Sequence, residues 1–265
     1  MMIERDGGTI ALQVDGAGPL IVGVPGMGET RASFRHLVPG LVEAGFRVAT
    51  MDLRGHGDSS TRFPAYDDRA AAGDLLAVVD ALGGAPATVV GNSMGAAATV
   101  IAAAESPEAI NGLVLIGPFL RDPGPAATKF LMRLALARPW GPSVWRAYYR
   151  SLFGDRLPHD HDDHVRAALA LLRRPGRWRA FERTTRTSHA PAEAALPGVS
   201  APALIIMGER DRDFPDPEAE ARWAAEALRG EHRMIPGAGH YPMGEQAEAV
   251  LAVMLPFLSR GASHA

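Results

Sequence analysis

Short apolar runs alternate with longer segments of helical periodicity along most of the chain. Apolar runs bounded by turn-forming residues predict strands at residues 9–14, 20–24, 47–51, 88–90, 113–116, 203–207 and 232–235. Apolar residues at helical spacing predict helices at about residues 32–44, 68–82, 96–105, 217–228 and 244–258. This alternation predicts an α/β fold, in which a mostly parallel central sheet is flanked by helices on both faces.

The alternation stops near Gly117 and resumes near residue 200. The intervening segment holds three of the four tryptophans, many arginines and several prolines, and its patterns are helical without a clear buried strand. We therefore predict that residues 1–117 and 200–265 form the α/β core, and that residues 118–199 form a helical cap inserted over it.

Composition narrows the possible partners. The 265 residues are 47% hydrophobic and 22% charged, which is ordinary for a globular protein, and the formal net charge is −3. Basic residues are spread along the chain, so we expect a small-molecule substrate and neither nucleic acid nor a membrane surface as partner. Cysteine is absent, which excludes disulfides and thiolate chemistry. The polar N-terminus and the lack of a long apolar run predict a cytoplasmic location.

One short motif carries the strongest chemical signal. Gly91-Asn92-Ser93-Met94-Gly95 has the form G-x-S-x-G, follows a predicted strand and opens a predicted helix. That context is typical of a nucleophile elbow, a tight turn that exposes a serine hydroxyl and needs small flanking residues. The helix N-terminus also directs backbone N–H groups toward developing negative charge, and the N–H of Met94 is the first expected oxyanion donor.

A serine nucleophile needs a histidine base, and that base needs a carboxylate to orient it. Asp211 follows the predicted strand 203–207, and His240 follows the predicted strand 232–235. Both therefore lie at the same sheet edge as Ser93, in the order serine, acid, histidine. Asp213, two residues beyond Asp211, is an alternative acid.

Together these motifs resemble the α/β-hydrolase superfamily, in its capped form. The segment Asp-Leu-Arg-Gly-His-Gly-Asp-Ser at 52–59 is similar to the D-x-R-G-x-G-x-S loop of that superfamily, and residues 208–211 are similar to its G-x-x-D acid loop. The resemblance implies a second oxyanion donor at the N–H of Met27, although Pro25-Gly26 stands where relatives commonly have His-Gly. It also offers Asp122 as another acid. A serine in the elbow argues against dehalogenase and epoxide hydrolase chemistry, which uses aspartate there.

Other polar clusters are expected to be structural. His159-Asp160-His161-Asp162-Asp163-His164 could suggest a metal site, but its ligands are too closely packed to converge and its carboxylates suit a helix N-terminus. Arginines between residues 173 and 186 fit a solvated helix face better than an anion site. His56 is expected to make structural hydrogen bonds. The glycine motifs complete no dinucleotide fingerprint or P-loop, so we predict neither a metal nor a cofactor.

The sequence therefore predicts a carboxylic-ester hydrolase with a Ser93-His240-Asp211 triad. An apolar pocket in the cap could be lined by four aromatic residues, which could equally form the core of the cap: Phe119, Trp140, Trp145 and Trp178. Two alternatives stay open at this point. One is a carbon–carbon hydrolase of ring-cleavage products, because Asn92-Ser93-Met94-Gly95 resembles the elbow of that subgroup. The other is a slow-turnover ligand receptor or stress regulator that retains the triad.

Overall fold

The structure is a computed structural model that describes residues 1–83, 86–122, 131, 134–137 and 139–262. Within these described residues, eight strands form one sheet in the order β1-β2-β4-β3-β5-β6-β7-β8. The β1–β2 and β2–β4 pairs are antiparallel, and all the other pairs are parallel. The strands are β1 (Met2–Arg5), β2 (Gly8–Asp15), β3 (Leu20–Val24), β4 (Arg47–Met51), β5 (Ala87–Asn92), β6 (Ile110–Ile116), β7 (Ala203–Gly208) and β8 (Glu231–Ile235).

Helices flank this sheet, and the predicted fold class is confirmed. The α-helices are α1 (Val38–Glu43), α2 (Asp68–Ala81), α3 (Met94–Glu105), α4 (Gly141–Ser151), α5 (His161–Leu172), α6 (Arg177–Thr184), α7 (Ala190–Ala195), α8 (Pro217–Leu228), α9 (Pro242–Glu245) and α10 (Ala247–Ala262). Short 3-10 helices span Arg31–Phe34 and Leu196–Gly198. In the part of the chain that the structure describes, no helix is long and apolar enough to cross a membrane.

Two of the predicted helices are divided in the structure. The predicted helix 32–44 consists of the 3-10 turn Arg31–Phe34, capped by the side chain of Thr30, and a separate α1 with a proline in its first turn. The predicted helix 244–258 is divided at Gln246, whose φ of −139° and ψ of 56° interrupt helical geometry. The edge strand β1 was not predicted, because its alternation covers only four residues.

The sheet is buried on both faces. Side chains of β5, β6 and β7 alternate between two apolar clusters, with Val89, Leu113 and Ile205 in one and Val90, Val114 and Ile206 in the other. Helices α2, α3 and α8 contribute to the first cluster, while α1 and α10 contribute to the second. This is why the fully buried strands β3 and β7 are continuously apolar in sequence.

Helices α4 to α7 occupy the chain between β6 and β7, and no strand interrupts them in the residues described there. Trp145, Tyr149 and Phe181 of α4 and α6 join the apolar cluster that includes β6 and β7. The division into a core of residues 1–117 and 200–265 and a cap of residues 118–199 stays a prediction. The turns that follow β3, β5, β6, β7 and β8 meet at one edge of the parallel sheet, and the candidate site lies there.

Candidate active site

Ser93 lies in a strained turn between β5 and α3. Its φ of 54° and ψ of −120° fall in a region that residues with a side chain rarely adopt, at a cost of about 1–3 kcal/mol. The neighbouring glycines permit this turn sterically. A Cβ on Gly95 would lie 2.2 Å from the carbonyl oxygen of Val24, and a Cβ on Gly91 would lie 2.6 Å from Thr99 Oγ1. The small residues of the motif are therefore required by the close approach of β3 and α3.

The loop after β3 packs directly on this turn. A Cβ on Gly26 would lie 2.8 Å from the Cβ of Ser93, which shows how closely the two segments approach. The backbone N–H groups of Met27 and Met94 donate to no protein acceptor among the described residues. Met94 is the first residue of α3, where backbone N–H groups lack partners within the helix. Two unpaired donors therefore belong to the two segments that meet at Ser93.

His56 holds the Met27 loop in place. The N–H of Gly28 donates to His56 Nε2 at 3.0 Å, and His56 Nδ1 lies 3.1 Å from the carbonyl oxygen of Arg54. Since a carbonyl only accepts, Nδ1 carries the proton and Nε2 is the acceptor. Burial lowers the pKa of His56 to about 4, so the ring stays neutral near neutral pH. The expected structural role of His56 thus consists of fixing the residue next to Met27.

His240 pairs with Asp211 at the ends of β8 and β7. His240 Nδ1 lies 2.7 Å from Asp211 Oδ2, and both side chains are buried. The N–H of His240 donates to the carbonyl of Leu152 at 2.7 Å, and Asn92 Nδ2 lies 3.4 Å from the carbonyl oxygen of His240. The Nδ1 proton is thereby directed at Asp211, which leaves Nε2 as the basic nitrogen.

A second carboxylate contributes to the electrostatics of this pair. Asp213 Oδ2 lies 3.7 Å from His240 Nδ1, and the other Asp213 oxygen accepts a hydrogen bond from the hydroxyl of Tyr148 on α4. Burial alone would lower the pKa of His240, but the charges of Asp211 and Asp213 outweigh it and raise the pKa above its ordinary value. Burial raises the pKa of Asp213.

The three candidate acids therefore occupy different places. Asp211 contacts His240 at hydrogen-bond distance, while Asp213 is 1 Å more distant and engaged by Tyr148. Asp122 accepts hydrogen bonds from the hydroxyl of Ser188 and from the N–H of His189. Of the three, Asp211 has the geometry that orients a histidine base.

A cavity of about 370 Å³ opens beside Ser93 and His240. Its lining also includes both methionines of the predicted oxyanion site, residues between β6 and β7, and residues that follow β7 and β8: Met27, Met94, Phe119, Leu136, Trp145, Tyr148, Leu152, Thr184, Thr185, Thr187, His189, Arg212, Asp213 and Tyr241. Two of the four proposed lining aromatics are absent from it. Trp140 is 54% exposed, with its indole N–H bonded to the carbonyl of Leu134, whereas Trp178 is buried against Phe181.

The histidine-rich segment 159–164 forms separate contacts. Asp160 pairs with Arg35 and His36, His164 faces Glu29, and His161 stacks edge-on against Phe153. Among the described residues, the histidine and carboxylate groups that come close enough to share an ion are Asp211, Asp213 and His240.

Three residues near the site carried no signal in the sequence. Glu245 of α9 accepts hydrogen bonds from the N–H groups of Gly154, Gly239 and Tyr241, so it fixes the backbone on both sides of His240. Tyr148 engages Asp213, and the buried Glu29, two residues after Met27, accepts from the hydroxyl of Tyr149. These contacts join segments that are distant in sequence and belong to no local pattern.

Known proteins resemble this chain in sequence and in fold. The model of the Alpha/beta hydrolase family matches residues 21–253. A candidate non-heme bromoperoxidase from Mycobacterium tuberculosis, BpoC, is 30% identical over 272 aligned positions, which cover 94% of this chain and 97% of that protein. The pimeloyl-[acyl-carrier protein] methyl ester esterase of Neisseria meningitidis serogroup B is 29% identical over 245 positions, covering 90% and 92%. The solved structure of a thermophilic esterase from Thermogutta terrifontis covers 98% of each chain with a TM-score of 0.83 and 23% identity, a likeness of fold.

Proposed function

Because the chain belongs to the alpha/beta hydrolase family, we propose that it is a serine hydrolase that cleaves carboxylic esters through an acyl-enzyme intermediate. The single observation that carries this proposal is the His240–Asp211 pair at 2.7 Å, whose histidine lines the same cavity as Ser93. A serine hydroxyl becomes an effective nucleophile when such an oriented histidine accepts its proton.

The proposed reaction has two halves. Ser93 Oγ attacks the ester carbonyl carbon and gives its proton to His240 Nε2. The imidazolium, stabilised by Asp211, then returns the proton to the departing alkoxide as the carbon–oxygen bond breaks. In the second half, His240 removes a proton from water, the hydroxide attacks the acyl carbon, and the proton returns to Ser93 Oγ as the carboxylic acid leaves.

The negative charge of each tetrahedral intermediate would be held by the N–H groups of Met27 and Met94. Their lack of a protein acceptor among the described residues supports this role, since backbone donors next to the nucleophile would otherwise remain unpaired. Such a donor typically contributes about 3 kcal/mol of transition-state stabilisation. The strained backbone of Ser93 supports the same assignment, because strain of this kind clusters at functional sites.

The cavity favours a small, partly apolar substrate. Its volume of about 370 Å³ is at the lower end of the range of small-molecule pockets, and Phe119, Leu136, Trp145 and Leu152 contribute apolar surface to it. The esterase from Neisseria meningitidis, which is similar along most of its length, acts on a methyl ester according to its name. An ester is accordingly the substrate class that we assign.

A substrate panel tests this function. Aryl esters with acyl chains of two to ten carbons are compared with a coloured ring-cleavage dienoate, for the native protein and for Ser93→Ala. We expect hydrolysis of short and medium esters that Ser93→Ala abolishes. Preferential turnover of the dienoate would replace the ester assignment with carbon–carbon bond hydrolysis, and tight binding without turnover of either class would favour a ligand receptor.

A further inference from the structure

The cavity beside Ser93 has a polar end that the proposed reaction does not use. Apart from the groups around His240 and the exposed Arg212, its polar side chains come from one short segment at the end of α6 and the turn that follows: Thr184, Thr185, Thr187 and His189. Leu136, Trp145 and Leu152 make the rest of the lining largely apolar. We call these four polar residues the threonine–histidine rim.

His189 belongs to a second aspartate–histidine pair on this cavity. Its Nδ1 lies 2.8 Å from Oδ2 of Asp68, the first residue of α2, and the carboxylate of Asp68 is buried. The N–H of His189 is held by Asp122, and its ring packs against Phe119. The ring is thus held by Asp68 and Phe119, and the backbone that carries it is held by Asp122, as suits a side chain that must keep one orientation.

The free edge of the ring is available to a ligand. Because Asp68 engages Nδ1, the remaining nitrogen is Nε2, and it has no hydrogen-bond partner among the described residues. The side chain is 12% exposed and lines the cavity. A nitrogen of this kind accepts from a hydroxyl when the ring is neutral and donates to a carboxylate when the ring is protonated.

The threonines extend this polar end. The hydroxyls of Thr184 and Thr185 donate to the carbonyls of Phe181 and Glu182, so their protons are already engaged and their oxygens remain as acceptors. Thr187 Oγ1 lies 3.5 Å from Asp68 Oδ1. An apolar chain end bound here would leave His189 Nε2 without a hydrogen-bond partner. A buried polar group without a partner costs binding free energy.

The rim also has a defined place relative to the reacting groups. The ring of Phe119 lies 5.6 Å from the ring of His189 and 5.8 Å from that of His240, so one aromatic ring separates the two histidines. Ser93 and the rim line the same cavity, so a substrate whose carbonyl meets Ser93 shares that cavity with the rim. The rim therefore bears on which substrate is accepted and takes no part in bond cleavage.

We propose that His189, oriented by Asp68, recognises an oxygen function, a hydroxyl or a carboxylate, at the end of the substrate remote from the scissile ester. This inference rests on the proposed ester hydrolysis and adds the substrate class: short acyl esters with a polar terminus, in preference to plain alkyl esters. His189 is a specificity-determining residue in this account, and Asp68 is a positioning residue that acts through it.

The test compares three series of p-nitrophenyl esters with four, six and eight acyl carbons: plain alkanoates, ω-hydroxyalkanoates and monoesters of the dicarboxylic acids. The readout is the ratio of kcat/KM for an oxygenated ester to kcat/KM for the alkanoate of equal length. We expect His189→Ala to lower this ratio by about 10- to 100-fold for the better oxygenated series, mainly through KM, because a buried hydrogen bond is lost. Asp68→Asn, which keeps the shape of the side chain, should lower the ratio in the same direction.

His159→Ala provides the matched control, since His159 is an exposed histidine outside this cavity and should leave the ratio unchanged. A hydroxyl and a carboxylate are distinguished by which series responds. A ratio that stays within about twofold of the native value in His189→Ala would overturn the inference, even if both rates fell, because a structural role lowers both equally. Absence of any Ser93-dependent ester hydrolysis would instead overturn the proposed function itself, and the inference with it.

Discussion

Replacing His56 by alanine removes the side chain that fixes the loop of Met27. The N–H of Gly28 and the carbonyl of Arg54 each lose a hydrogen bond of about the ideal length, at 3.0 and 3.1 Å. Each buried group left unpaired costs about 1–3 kcal/mol, so for the two groups we expect a loss of roughly 2–6 kcal/mol in the free energy of unfolding. The adjacent Met27 N–H is displaced without being removed. The fall in kcat should therefore be about 10- to 100-fold, which is smaller than the fall expected when an oxyanion donor is removed altogether.

The assay separates catalysis from stability. Steady-state kinetics on the best ester of the panel give kcat and KM at a temperature where the variant is folded, and urea denaturation gives the free energy of unfolding. Ser59→Ala is the matched control, because Ser59 Oγ also joins two buried backbone groups near His56, accepting from the N–H of Ala11 on β2 and donating to the carbonyl of Asp52. It should lose stability while kcat changes little.

The conservative variant His56→Gln adds a second check. Its amide can accept from one backbone group and donate to the other, so it should recover part of kcat. Burial lowers the pKa of His56 from 6.5 to about 4, so the unfolded chain binds the extra proton between these values. Native stability should therefore fall by up to roughly 3 kcal/mol through this site as pH drops from 6.5 to 4, and His56→Gln should lack that component. A His56→Ala variant whose kcat matches that of Ser59→Ala would refute the positioning role.

Three further changes test the surroundings of His240. Asp213→Asn removes a charge 3.7 Å from Nδ1 that helps to raise the pKa of His240, so the acid limb of kcat/KM should move to lower pH by about one unit; a limb that stays in place contradicts this. Gly117→Ala puts a Cβ 3.0 Å from Nδ1 in a backbone with φ of 52°, and kcat should fall about 10-fold or more; native kinetics would count against it. Glu245→Ala leaves three backbone N–H groups without their acceptor and should lower Tm by several degrees, whereas an unchanged Tm would show that Glu245 is dispensable.

The strongly periodic elements of the fold were predictable from the sequence. Strand β4 and helix α8 have the bounds that the pattern predicts, because apolar spacing, a proline at the start of α8 and its capping residue Asp216 agree there. Strand β1 could not be found in this way, since it is a short, partly exposed edge strand. The division of the helix predicted at 32–44 depends on Pro39 and on local packing, which outweigh helical periodicity.

The residues of the candidate site were also predictable only in part. Ser93, Asp211 and His240 stand in local motifs, and the structure brings them to one edge of the sheet; their catalytic roles stay a prediction. The choice of Asp211 over Asp213 depends on a distance that only the fold supplies. Trp140 and Trp145 were both predicted to line the pocket, but Trp145 is buried beside the cavity whereas Trp140 is exposed. A side chain's orientation depends on tertiary packing, which local sequence patterns do not contain.

The nucleophilic role of Ser93 is the central claim, and covalent labelling tests it most directly. A fluorophosphonate probe is incubated with the native protein, with Ser93→Ala and with Ser59→Ala, and peptide mass spectrometry locates the adduct. We predict one adduct, on Ser93, in the native protein and in Ser59→Ala, and none in Ser93→Ala. Equal labelling of the native protein and Ser93→Ala would contradict it.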